Sequence, residues 1–245
     1  MSFAIQNTSK RYTNIADFPT TDVRTDMVGE YILGVSQSNT QVNTADRAKP
    51  LFLQPGNTGP IVYGSNFATV KNGDSYAGNV SAGLDTGIYL GPKSYTMIQV
   101  SRGSKSALGA PQNFFGMRYF QGRLCVYNSN SGDLDAVPDL PSGVADASKF
   151  YFTAARMHYL GVSKLYRYEN GVLSSSEEGS VGGIRDATQT FQIGGSGLTG
   201  AASIESIVDV GYVAIYEKAL TDGEIAAIYA DLKIYLASYR GLVVS

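Results

Sequence analysis

Lys164-Leu165-Tyr166-Arg167-Tyr168-Glu169-Asn170-Gly171-Val172-Leu173 places alternating apolar residues on either side of an Asn-Gly pair. That pair favours a two-residue type I′ turn, because both central positions need positive φ. A turn there sets Glu169 opposite Val172 and Tyr168 opposite Leu173, so Tyr166, Tyr168 and Leu173 share one face of a hairpin. A second hairpin is predicted at Gln121-Gly122. With a two-residue loop it pairs Phe120 with Arg123, Tyr119 with Leu124 and Met117 with Val126. Met117, Tyr119, Leu124 and Val126 then point into a core, while Arg118, Phe120, Arg123 and Cys125 point away from it.

The same punctuation runs along the chain. Gly occurs 28 times and Tyr 17 times, Trp is absent, and short β-branched or aromatic runs are separated by Gly, Asn, Ser and Pro. Strands are predicted near 29–35, 50–54, 61–70, 86–90, 95–102, 113–120, 123–128, 150–158, 163–168, 172–176, 188–194 and 204–216. So many short strands imply an all-β sandwich. One helix is predicted, over 221–238. Thr221-Asp222-Gly223-Glu224 fits a capping box, Leu220 and Ile225 can staple it, and Ile225, Ile228, Tyr229, Leu232, Tyr235, Leu236 and Tyr239 make an apolar stripe. The stripe is expected to cover a sandwich edge, with Tyr235 and Tyr239 at the far end as the candidate partner contact.

Several function classes are excluded by composition. The 19 Lys and Arg against 21 Asp and Glu leave a net charge of −2, which argues against binding nucleic acid by neutralising phosphates. Cys125 and His158 are the only Cys and His, too few for an intrachain disulfide or a zinc site. With 43% hydrophobic and 16% charged residues over 245 positions, the chain can bury a real core. The first residues carry no basic leader followed by an apolar stretch, and no run of about 20 apolar residues occurs. A soluble product made in the cytosol, without a membrane span, is the expectation. Residues 1–50, rich in Thr, Asn, Asp and Ser, are either an N-terminal arm or accessory strands; 51–245 form the main domain.

Three motifs follow one another in the last third. They are the hairpin quoted above, then Phe191-Gln192-Ile193-Gly194-Gly195, then Val210-Gly211-Tyr212-Val213-Ala214-Ile215-Tyr216 leading through Ala219-Leu220-Thr221 to the acidic helix start. In this order they resemble the closing half of concanavalin A-like jelly rolls of the laminin-G type. Ser94–Val100 and Lys149–Arg156 are similar to that family's central strands. The resemblance implies a two-sheet antiparallel jelly-roll sandwich ending in one C-terminal α-helix. The functions it implies range from carbohydrate binding and adhesion to glycan hydrolysis, and the fold does not choose among them.

The candidate chemistry is sparse. Glucanases on this fold carry closely spaced carboxylates on one strand, whereas Glu205 and Asp209 lie four residues apart, well over about 10 Å along a strand; both are read as solvated strand charges. His158 is the only base for a nucleophilic triad and no Gly-x-Ser-x-Gly elbow is present, so no catalytic residue is assigned and His158 is read as a strand-end residue. Laminin-G-like domains often hold one calcium ion, for which Asp74, Asp85, Asp133 and Asp135 are the candidates; no other cofactor is implied. An exposed aromatic beside hydrogen-bonding groups would serve a sugar, and Arg118, Phe120 and Arg123, with Tyr63 and Tyr76 near loops, are the candidate ligand residues.

A domain of this type without a leader, disulfides or a catalytic motif fits a bacteriophage virion. The leading expectation is a non-enzymatic structural or adhesion protein of a tail, fibre or capsid decoration, located on the virion. Its partners would be other virion proteins, further copies of itself, with a trimer favoured, and host-surface glycans, but neither nucleic acid nor membrane. The alternatives are a free-standing lectin and a glycoside hydrolase.

Overall fold

The computed structural model describes residues 25–72, 81–89, 91–103, 108–110, 115–120, 123–127, 146, 148–159, 162–176, 178–180, 190–194 and 206–245. Among these, nine strands form one antiparallel sheet and six form another. The larger sheet runs β12 (Val172–Ser175), β11 (Val162–Glu169), β10 (Tyr151–Met157), β6 (Tyr95–Gly103), β15 (Ser206–Tyr216), β4 (Ala68–Asn72) and β3 (Val62–Tyr63). To it β1 (Met27–Ile32) adds by pairing with β15, and β13 (Gly179–Ser180) by pairing with β11. The smaller runs β2 (Phe52–Leu53), β5 (Gly83–Tyr89), β14 (Thr190–Gly194), β7 (Leu108–Ala110), β8 (Phe115–Phe120) and β9 (Arg123–Tyr127). A single turn, α1 (Gln37–Thr40), follows β1, and α2 (Asp222–Arg240) closes the chain. This is the two-sheet antiparallel jelly-roll sandwich with a C-terminal helix that the motif order implies.

Both hairpins have the expected register: Tyr168 faces Leu173, and Phe120 faces Arg123. Asn170 and Gly171 take φ of 53° and 79°, as a type I′ turn demands. The strand expected over 61–70 is instead two. The turn residues Gly64-Ser65-Asn66 break it, Gly64 N–H donates to Phe67 O (2.8 Å), and β3 folds back on β4. His158 directly follows β10.

The larger sheet is buried on both faces, so β10 and the first seven residues of β6 are buried without interruption rather than in alternation. One face meets the smaller sheet across a core that includes Tyr31, Val70, Tyr95, Met97, Leu165, Phe191, Ile193 and Ile215. The other face carries Ile98, Val100, Phe152, Tyr166, Tyr168, Tyr212 and Tyr216, and α2 lies across it. The helix thus covers a face of the sandwich, not an edge, because this second row of large side chains needs its own cover. Tyr229 stacks on Tyr168 at 3.6 Å between ring centroids, and Phe152 stands edge-on to both. Such pairs add about 0.5–1.5 kcal/mol each beyond the area buried. The Thr221 capping box forms, contributing about 1 kcal/mol, and Leu220 and Ile225 are both buried beside it.

Residues 25–50 contribute to this framework. β1 runs along β15, Tyr31 and Leu33 are fully buried, and the buried Glu30 carboxylate accepts from Tyr212 Oη (2.8 Å) and Thr44 Oγ1 (2.5 Å). Asp209, read from sequence as a solvated charge, is instead held by Thr69 Oγ1 (2.6 Å) and Arg102 Nε (2.8 Å). The Arg102 guanidinium also lies over the adjoining Phe67 and Phe150 rings, 4.9 and 4.8 Å from their centroids. Glu205 lies outside the described residues.

Two details carry predictions. Gly211 is a bulge in β15: before it Val208 and Val210 face the inter-sheet core, and after it Val213 and Ile215 do, which switches the alternation. A Cβ at Gly211 would collide with Leu242 Cδ1 and sit 3.3 Å from Asn66 O. Gly211→Ala should therefore cost about 1–3 kcal/mol in denaturant unfolding. At the start of α2, Asp222 accepts from Arg156 Nη1, Lys164 Nζ and Tyr166 Oη, each at 2.7 Å. Burial pushes the Asp222 carboxyl up, but the hydrogen bonds from Lys164 and Tyr166 and the nearby positive charges together hold it below its ordinary 3.8. A depressed folded value means that the stabilisation is complete above the unfolded pKa and is lost as pH falls through the lower folded one. Wild type should accordingly exceed Asp222→Asn in Tm at neutral pH, and the gap should narrow as pH falls below the ordinary 3.8 and through the lower folded value.

Candidate functional site

α2 covers the outer face of the larger sheet, and the exposed aromatics Phe52 and Tyr89 lie on the smaller sheet. Cross-strand partners in an antiparallel sheet share a face, so the register Phe52–Asp85–Gln192–Gly109–Gly116–Tyr127 defines one row across it. In the row below it, Leu84 and Ile193 enter the inter-sheet core, whereas their β2 neighbour Leu53 is exposed. Further along, the backbone register of β8 with β9 pairs Arg118 with Cys125 and Phe120 with Arg123.

At the β2–β5 edge the side-chain geometry is defined. β5 bulges opposite Phe191, with Gly87 at φ 64° and Thr86 and Ile88 both turned inward. Asp85 organises the bulge: one carboxylate oxygen accepts from Gly87 N–H and the other from Thr190 Oγ1, both at 2.8 Å. Gly87 is required by its left-handed φ rather than by space, since a Cβ there would meet the Phe52 ring at an ordinary contact distance of 3.6 Å. Phe52 is 53% exposed and Tyr89, two residues past the bulge, is 62% exposed. Two open aromatic surfaces therefore flank a carboxylate and a hydroxyl. Beside them Gln54 Nε2 donates to Gln192 Oε1 (2.6 Å), both residues being buried.

Of the residues singled out from sequence, Asp85 thus belongs to this edge, and Arg118, Phe120 and Arg123 lie on β8 and β9 of the same sheet. Tyr63 does not sit there: it packs against the inter-sheet core with its hydroxyl buried, and burial raises its pKa. Tyr235 is buried on the inner face of α2 and Tyr239, one turn on, is partly buried against the same cluster, their rings 5.6 Å apart. Tyr76, Asp74, Asp133 and Asp135 lie outside the described residues. Among the described residues no group of three His, Cys, Asp or Glu side chains is placed to hold a metal ion. Phe52 and Tyr89 were not anticipated. Tyr89 could have been found from the alternation Leu84, Thr86, Ile88 against Asp85, Gly87, Tyr89, but Leu51-Phe52-Leu53 is apolar throughout and names no face.

No family model and no curated relative matches the chain. Among solved structures it is similar to a botulinum neurotoxin type C structure described as dependent for cell entry on two ganglioside molecules, with 11% identity, TM-score 0.61 and coverage of 86% of this chain and 52% of that one. The binding domain of botulinum neurotoxin DC in complex with rat synaptotagmin II matches with 11% identity, TM-score 0.59 and the same coverages. A Trypanosoma rangeli sialidase matches with 17% identity, TM-score 0.58 and coverage of 89% of this chain and 34% of that one. The chain thus spans about half of the neurotoxin chains and a third of the sialidase, and the likeness is one of fold.

The Asp85–Thr190 bond should behave as a shared unit. Asp85→Ala and Thr190→Val are each expected to destabilise the protein, and the double-mutant cycle should return a coupling on the order of 1 kcal/mol. Additive losses in thermal melts would mean that the bulge does not depend on the pair.

Proposed function

We propose that the protein is a non-catalytic, lectin-like binding module that takes a glycan on the outer face of the smaller sheet. The observation that carries this reading is the pair of exposed rings, Phe52 and Tyr89, on either side of the Asp85–Thr190 hydrogen bond. Pyranose rings stack their C–H faces on open aromatics while neighbouring polar groups fix their hydroxyls. Arg118 and Arg123, on β8 and β9 of the same sheet, are the residues we assign to an acidic sugar. Support also comes from the similar structures, whose descriptions name gangliosides and a sialidase; a protein receptor, named for one of them, is the competing type of ligand. Both Asp85 oxygens are already engaged, so the edge carries no free acid pair for glycoside hydrolysis. Display on a virion, as further copies of the chain or beside capsid or tail proteins, is the setting we propose from the sequence; neighbouring capsid or tail genes would support it.

A glycan array with the wild-type protein should show a defined set of binders, and Phe52→Ala and Tyr89→Ala should each weaken binding about three- to tenfold without lowering Tm. An array without binders removes the glycan reading. A signal lost only with chelator would point to calcium held by the Asp74, Asp133 and Asp135 loops.

A further inference from the structure

We infer that a second ligand site, separate from the sheet face, lies in the segment between α1 and β2 and accepts a single carboxylated sugar, a hexuronic acid. A cavity of about 340 Å³ is lined there by Ser38, Gln41, Val42, Asn43, Arg47 and Pro50. Small-ligand sites begin at roughly 300 Å³, so this one suits one monosaccharide.

The cavity is built rigidly. Asn43 is fully buried and its Oδ1 accepts from the backbone N–H groups of Glu30 (3.0 Å), Ala45 (3.0 Å) and Asp46 (3.2 Å), while its Nδ2 donates to Val28 O (3.2 Å). The buried Glu30 carboxylate holds the next residue through Thr44 Oγ1, and Leu51 N–H closes the segment on Gln41 O (2.9 Å). Tyr31 Oη lies within hydrogen-bonding distance of Lys49 O (3.2 Å) and Thr86 O (3.4 Å), which pins the segment to β5. Such a frame binds with little ordering cost.

The lining groups decide the ligand. Asn43 is consumed by the frame, but Arg47 is exposed and has no hydrogen bond or ion pair with any described residue. The nearest acid, Asp46, is spent on Ala48 N–H (3.0 Å) and Lys49 Nζ (3.8 Å). An open guanidinium fork beside a cavity without a carboxylate in its lining selects an anion, and a carboxylate fits it bidentately. The Gln41 amide and Ser38 hydroxyl offer donors and acceptors for hydroxyls, with Val42 and Pro50 as an apolar wall, as a pyranose requires.

The test is a titration of the ¹⁵N-labelled full chain with sodium D-glucuronate, D-glucose and sodium acetate, read from amide shifts. Glucuronate should shift amides of residues 38–50, with glucose and acetate at least about tenfold weaker. Arg47→Ala should weaken glucuronate about tenfold or more, Arg47→Lys should recover only part of it, and added salt should weaken the wild type. Equal responses to glucose, shifts confined to other segments, or Arg47→Ala titrating like wild type would overturn the inference. Phe52→Ala should leave this titration unchanged; if it abolishes the shifts, the acid sugar binds the sheet face instead. An inert Phe52→Ala on the array beside an intact glucuronate titration would sink only the sheet-face reading.

Discussion

Everything in this molecule is arranged around a sheet that must be covered twice. Strands β6, β10, β11 and β15 present large side chains on both faces, one set meeting the smaller sheet and the other lying beneath α2. The second set is rich in tyrosine, so its cover has to supply polar partners as well as apolar area. Asp222 of the helix receives the Tyr166 hydroxyl, Glu30 of β1 receives that of Tyr212, and Lys233 Nζ donates to Tyr229 Oη (3.2 Å) while lying over its ring. Burial and the hydrogen bond to Asp222 raise the Tyr166 pKa, so it stays a neutral donor. The helix is therefore a structural layer of the sandwich.

Two bulges convert that frame into shape. Gly211 shifts the alternation of β15 by one residue, so that Val208 and Val210 at one end and Val213 and Ile215 at the other fill the same core while Tyr212 and Tyr216 meet the helix layer. Gly87 does the converse at the surface, lifting Asp85 and Tyr89 outward around a glycine beside the Phe52 ring. Both rely on a missing side chain, the first for packing space and the second for a left-handed backbone.

What the sequence disclosed followed from short-range rules. Asn170-Gly171 fixed a register, and Thr221 with Glu224 marked a helix start, because turn and cap chemistry act within four residues. The strand over 61–70 was misread because the apolar run continues through the turn at Gly64-Ser65-Asn66. The placement of α2 on a face was not legible, since a stripe at helical spacing states that a helix is covered and not by what. The same limit hid Phe52: exposure on an edge strand depends on the neighbouring β5 bulge, which itself depends on a bond from Asp85 to Thr190, 105 positions away.

The disposition of carboxylates joins these points to chemistry. Glu30 is buried, Asp85 and Asp209 are partly buried and Asp222 is exposed, yet each accepts protein hydrogen bonds on both oxygens. A carboxylate so committed is a structural anion: to act as general acid or nucleophile it would have to break the bonds that hold a bulge, a strand or a helix in place. These four acids thus serve the scaffold, while open rings such as Phe52 and Tyr89 and the open cation of Arg47 remain on the described surface. In a chain of nearly balanced charge, attraction for an acidic partner is then a matter of particular points, and Arg47 beside its cavity is one where geometry and charge coincide.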